Sequence, residues 1–115
     1  MTDIQILATT EHDYPFGTLM DDQNQAWLRL TSSGYSRLQI QRAIVRELQN
    51  MDIAAWNEFT SSPCNDLQAK TYRIRERLNN CTQELKRQQR KANALARKNR
   101  DDYARFEAYM ERFGD

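Results

Sequence analysis

Residues 64–113 read CNDLQAKTYRIRERLNNCTQELKRQQRKANALARKNRDDYARFEAYMERF, and neither glycine nor proline interrupts them. Leu67, Ile74, Leu78, Cys81, Leu85, Ala92, Leu95, Phe106, Tyr109 and Phe113 recur at spacings of three and four, or sums of these, which predicts one long amphipathic helix over 64–113. Such a helix spans ~75 Å at 1.5 Å per residue. That exceeds the width of a compact domain of this length. The helix therefore stands out from its domain, turns back on itself, or meets a second chain. Thr71, Gln88, Asn99 and Asp102 interrupt the same seam with polar groups. Asp101-Asp102 also supplies a helix-start signal, so a bend at 99–102 is the alternative to a straight shaft.

Upstream of this stretch, Gly34 and Pro63 punctuate shorter helical patterns. Asp21 or Asp22 opens a helix to about Ser32, with Trp27, Leu28 and Leu30 facing inward and Gly34 as its stop. Ser36 followed by Gln39 is a capping-box pattern, after which Ile40, Ala43, Ile44, Leu48 and Met51 repeat at helical spacing. Asp52 caps a further turn or two through Ile53, Trp56 and Phe59. The chain then breaks at Thr60–Pro63, and Ser62 with Pro63, or Asn65 with Gln68, starts the last helix. Ile4 and Ile6 alternate as in a strand ahead of the turn signal Asp13-Tyr14-Pro15-Phe16-Gly17, so the N-terminus reads as an arm or small strand.

The expected fold is all-α: an N-terminal arm over 1–20 and a single helical domain over 21–115. That domain consists of two or three short helices and the long, coiled-coil-like helix 64–113. A chain of 115 residues with three glycines, two prolines and 29% charged residues suits one helical domain better than a turn-rich β fold. The expected core sets Trp27, Leu28, Ile40, Ile44, Leu48, Met51 and Trp56 against Leu67, Ile74, Leu78 and Leu85. No run of ~18 apolar residues occurs and the opening MTDIQILATT lacks a basic, signal-like start, so a soluble cytoplasmic protein without membrane contact is expected. Cys64 and Cys81 stand too far apart along one helix to bridge.

Charge is strongly segregated. Residues 70–100 carry eleven Lys/Arg against two Glu, within a chain whose net charge is +1. A block of this kind meets either the chain's own acidic part or another molecule. From Lys86 to Arg100 there are seven basic residues and no acid. With Ile74 at d and Leu78 at a, the g positions are Lys70, Arg77, Glu84, Lys91, Lys98, Arg105 and Arg112. The e positions include Arg75, Thr82, Gln89, Ala96, Tyr103 and Met110. A parallel homodimer sets Lys70 against Arg75 and offers no acid to any other basic g residue, and an antiparallel one aligns basic g with basic g.

Enzyme signatures are lacking. The sequence holds no Gly-rich phosphate loop, nucleophile elbow or Cys-x-x-Cys pair, and His12 is its one histidine. No catalytic residue, cofactor or metal is expected. Gly34-Tyr35-Ser36 with Ile40 and Ile44 also suits the entry to a helix-turn-helix, which would present Arg37, Gln39, Gln41, Arg42 and Arg46. The pattern runs on through Val45–Leu48 without a turn, which favours an ordinary helical hairpin. The expected function is that of a non-enzymatic interaction protein: an adaptor, regulator or inhibitor. Its contact residues would be Arg87, Arg90, Lys91, Arg97, Lys98, Arg100, Tyr103, Phe106, Tyr109 and Phe113, and its partner another protein or a further copy in a homo-oligomer. The alternative is a nucleic-acid-binding protein that contacts phosphates through Lys86–Arg100.

Overall fold

The computed structural model describes residues 2–9 and 19–113, except for the side chains of Leu19 and Phe113. Four helices are seen: α1 (Asp3–Ala8), α2 (Leu19–Ser32), α3 (Arg37–Ser61) and α4 (Asn65–Phe113). Among the described residues there is no strand. The chain forms two compact units, Met1–Leu85 and Lys86–Asp115, with α4 contributing to both. His12 and the Asp13–Gly17 turn signal lie outside the described residues.

The N-terminal strand reading is corrected to a helix. Thr2 Oγ1 accepts from the Gln5 backbone N–H at 3.2 Å while Gln5 Oε1 accepts from the Thr2 N–H at 2.8 Å, a reciprocal capping box. A helix of six residues is unstable alone, so tertiary contacts must hold it. Leu7 and Ala8 are buried in the core, and three side chains from other helices tie down its polar ends. Arg77 of α4 donates to the Leu7 carbonyl at 3.1 Å. Gln23 of α2 donates to the Ile6 and Thr9 carbonyls at 3.5 and 3.4 Å. At the other end, the Arg29 guanidinium sits 2.7 Å from Asp3, and its hydrogen bond holds that carboxyl below the usual carboxylate range. A cation at the C-terminus of α1 and an acid in its first turn both complement the helix dipole.

Helix α2 ends in a Schellman motif. The Tyr35 N–H reaches the Leu30 carbonyl at 3.2 Å and the Gly34 N–H reaches that of Thr31 at 3.1 Å. Gly34 takes φ of +94°, the left-handed conformation this closure needs and side chains resist. Helix α3 starts at the Ser36–Gln39 capping box, as its pattern predicts. It then continues to Ser61 without the expected interruption at Asp52. That carboxylate accepts from Arg75 Nε at 3.1 Å instead of capping a new helix. The start of α4 is also corrected: Cys64 precedes it, with Sγ accepting from the Leu67 N–H at 3.4 Å and its carbonyl from the Gln68 N–H at 3.0 Å.

The core of the first unit joins Leu7 and Ala8 of α1, Ala26 of α2, Ile40, Ile44, Val45 and Leu48 of α3, and Cys81 of α4. Ile4, Ile6, Trp27, Leu30, Met51, Leu78 and Leu85 pack around it, while Ile74 is buried on α4 and Leu67 half-buried. Two expected core residues are not there: Leu28 is 62% exposed and Trp56 is 44% exposed. Close to them in sequence, the smaller Ala26 on α2 and Ala55 on α3 are buried instead. The buried polar residues Thr9, Gln41 and Thr71 are hydrogen-bonded, Thr9 Oγ1 donating to the Gln5 carbonyl at 2.6 Å. Gln41 Nε2 donates to the Cys81 carbonyl across the α3–α4 pair at 3.0 Å, and Thr71 Oγ1 bonds back to Gln68 at 2.7 Å.

Cys64 is exposed and Cys81 buried, both unbridged, and burial pushes the Cys81 thiol up. Cys64 is therefore expected to react with a thiol reagent in the folded protein within minutes, and Cys81 only in denaturant. Mass spectrometry of the labelled protein checks this; two rapid modifications without denaturant would contradict the core described above.

Candidate interaction surface

Lys86–Phe113 is helical throughout, including Asn99–Asp102, so the expected alternative of a bend there is not realised. Freedom from Gly and Pro and a supply of strong helix formers account for this continuity, and Asp101 and Asp102 sit within the helix rather than at a start. Among the described side chains of this unit, Gln88 and Gln89 are half-buried and the rest are exposed. The expected site cations Arg87, Arg90, Lys91, Arg97, Lys98 and Arg100 are all exposed. Tyr103 is 63%, Phe106 60% and Tyr109 60% exposed, beside Leu95 at 60% and Met110 at 47%. Phe113 belongs to the helix, and its side chain lies outside the described residues.

At 100° per residue, Leu95, Phe106 and Met110 fall on one side of the helix and Arg90 and Arg97 opposite them, with Arg87, Lys98 and Arg100 in between. Lys91 lies at the border of the apolar side. The helix therefore carries an apolar stripe that cations flank and back, so the stripe can pack on an apolar partner while the remaining surface meets water or anions.

The cations of the first unit have different roles. Lys70 pairs with Glu58 at 3.5 Å and Arg75 with Asp52 at 3.1 Å, so part of the basic block meets the chain's own acids. These pairs are solvent-exposed and contribute well under ~1 kcal/mol each. The Arg75 guanidinium also lies 4.8 Å from the centre of the Trp56 ring, which in turn meets Phe59 at 5.9 Å. That stack joins residues far apart in the chain, so no local pattern announces it. It explains how a tryptophan is accommodated at the surface. A second unforeseen feature is an apolar cleft of about 300 Å³ lined by Ile4, Leu30, Tyr35, Gln39, Ile40 and Ala43. It exists because α1 is a helix, which the alternation of Ile4 and Ile6 disguised.

Among the described residues no cluster of three or more His, Cys, Asp or Glu could hold a metal ion, and no helix is long and apolar enough to cross a membrane. Comparison with protein-family models, curated proteins and solved structures finds no match. Function has to be argued from the surface itself.

Proposed function

We propose that this chain is a non-enzymatic interaction protein of the adaptor, regulator or inhibitor kind, which binds a partner protein through Lys86–Phe113. The observation that supports this most is the exposure of Tyr103, Phe106, Tyr109 and Met110 over successive turns of one helix. Contiguous large apolar side chains on a surface mark an interface, and aromatic residues dominate the energy of such contacts. Helix α4 presents them already in helical form, which lowers the ordering cost of binding. The seven cations between Lys86 and Arg100 favour a second reading, in which nucleic-acid phosphates are the partner.

Binding to random-sequence DNA and RNA at several salt concentrations separates the two. A protein-binding role predicts nucleic-acid dissociation constants no tighter than the ~10⁻⁶ to 10⁻⁴ M of non-specific contact at physiological salt. Affinity near ~10⁻⁸ M, falling steeply with salt, would establish the nucleic-acid reading instead.

A further inference from the structure

Resting on that proposed function, the geometry points to one kind of occupant for the apolar stripe of α4: an amphipathic helix of another protein with acidic residues along one flank of its own seam. We infer this from what surrounds the stripe. In the heptad register set by Ile74 and Leu78, the residues flanking it on the g side are Lys91, Lys98, Arg105 and Arg112. Those on the e side are Gln89, Ala96, Tyr103 and Met110, none of them charged. The four cations are exposed on the helix, as are Tyr103 and Met110. A helix laid along Leu95, Phe106 and Tyr109 thus meets positive charge on one side and apolar surface on the other. Flanking charges of this kind select partner and orientation in paired helices.

A second copy of this chain meets the pattern badly in either direction. Side by side in parallel, two copies oppose Asp102 to Asp102 at a d position, burying like charges together. Antiparallel pairing sets the basic g flank of each against that of the other. A different helix with Glu or Asp facing Lys91, Lys98, Arg105 and Arg112 relieves both problems when it brings a cation or amide donor opposite Asn99 and Asp102. Charge opposition against these alternatives is as important to specificity as the attraction itself.

The test uses the full chain and two synthetic helical peptides of about four heptads. Both carry Leu at a and d with Asn and Lys placed to face Asn99 and Asp102. One has Glu on the flank facing g and the other has Lys there. Fluorescence anisotropy at physiological salt is expected to show the Glu peptide binding at least about tenfold more tightly. Lys98→Glu with Arg105→Glu leaves two cations and two acids on that flank and should abolish the preference, and mass measurement in solution should return a monomer. Equal binding of the two peptides, or binding of neither, overturns the inference. So does a dimer abolished by Phe106→Ala, which would make a second copy the occupant, or displacement of the Glu peptide by random-sequence DNA in preference to an excess of unlabelled peptide. The broader function fails only if no protein is retained through Phe106 and Tyr109, and it can outlast this inference. Capture of protein from nuclease-treated lysate that requires Phe106 and Tyr109, together with indifference to peptide charge, would leave an interaction protein whose partner is not chosen by these flanks.

Discussion

Leu48→Ala is expected to destabilise the first unit by ~2–5 kcal/mol, enough to unfold much of a domain whose whole stability is ~5–15 kcal/mol. Leu48 is 0% exposed and belongs to the core cluster with Ile40 and Ile44 on its own helix, Leu7 and Ala8 on α1, Ala26 on α2 and Cys81 on α4. Truncation removes its transfer free energy and leaves a cavity among elements that cannot all collapse into it. Ala8 and Ala26 in the same cluster are themselves fully buried, so the surroundings are already close-packed. Chemical denaturation followed by circular dichroism measures the loss. Leu28→Ala on α2 is the matched control: its side chain is 62% exposed, so a change within about 0.5 kcal/mol is expected. Equal losses from the two substitutions would mean that α2 presents the other face to the core.

Phe106→Ala with Tyr109→Ala should do the reverse, weakening partner binding by about 30-fold or more while moving the thermal midpoint little. Truncation of an interface hot spot removes ~2 kcal/mol or more of binding energy. Both rings are 60% exposed, so their removal leaves no cavity in the unbound chain. Binding is measured against whichever partner the nuclease-treated lysate yields, and stability by thermal unfolding of the same preparation. A double variant that binds normally would move the contact away from the aromatic stripe. One that unfolds at a much lower temperature would show the stripe packed as core. Charge reversal on the opposite stripe of the helix tests a separate feature, because those side chains are also exposed and contribute little to folding.

How far the fold was legible follows the range of the interactions involved. Helix α4 could be read to within one residue at its start because fifty-residue stretches without Gly or Pro and with apolar groups every three to four positions admit one local structure. The start of α3 and the end of α2 were equally plain: Ser36 with Gln39 caps one, and Gly34 closes the other through bonds to residues three to five positions away. Ile40, Ile44 and Leu48 fell in the core because they repeat along one face. The exposed stripe of aromatics on α4 could be placed on one face by the same spacing, and the cations around most of the rest of the helix likewise.

Other features depended on contacts between distant residues. Within six residues, Ile4, Ile6 and Leu7 fit a strand by alternation and a helix by spacing, and the choice went to the helix because Leu7 and Ala8 find α2 and α3 while Arg77 and Gln23 satisfy its last carbonyls. Asp52 looked like a cap, yet it sits within α3, which no Gly or Pro interrupts, and its carboxylate faces Arg75 from far along the chain. Trp56 is more apolar than Ala55, yet Ala55 is buried and Trp56 lies under a guanidinium at the surface. Sequence alone therefore determined the course of α4, the end of α2 and the start of α3, since periodicity and caps act within a turn or two. Only the tertiary structure decided which face met which neighbour and whether the N-terminus was a helix, because close packing and buried hydrogen bonds are properties of pairs of elements.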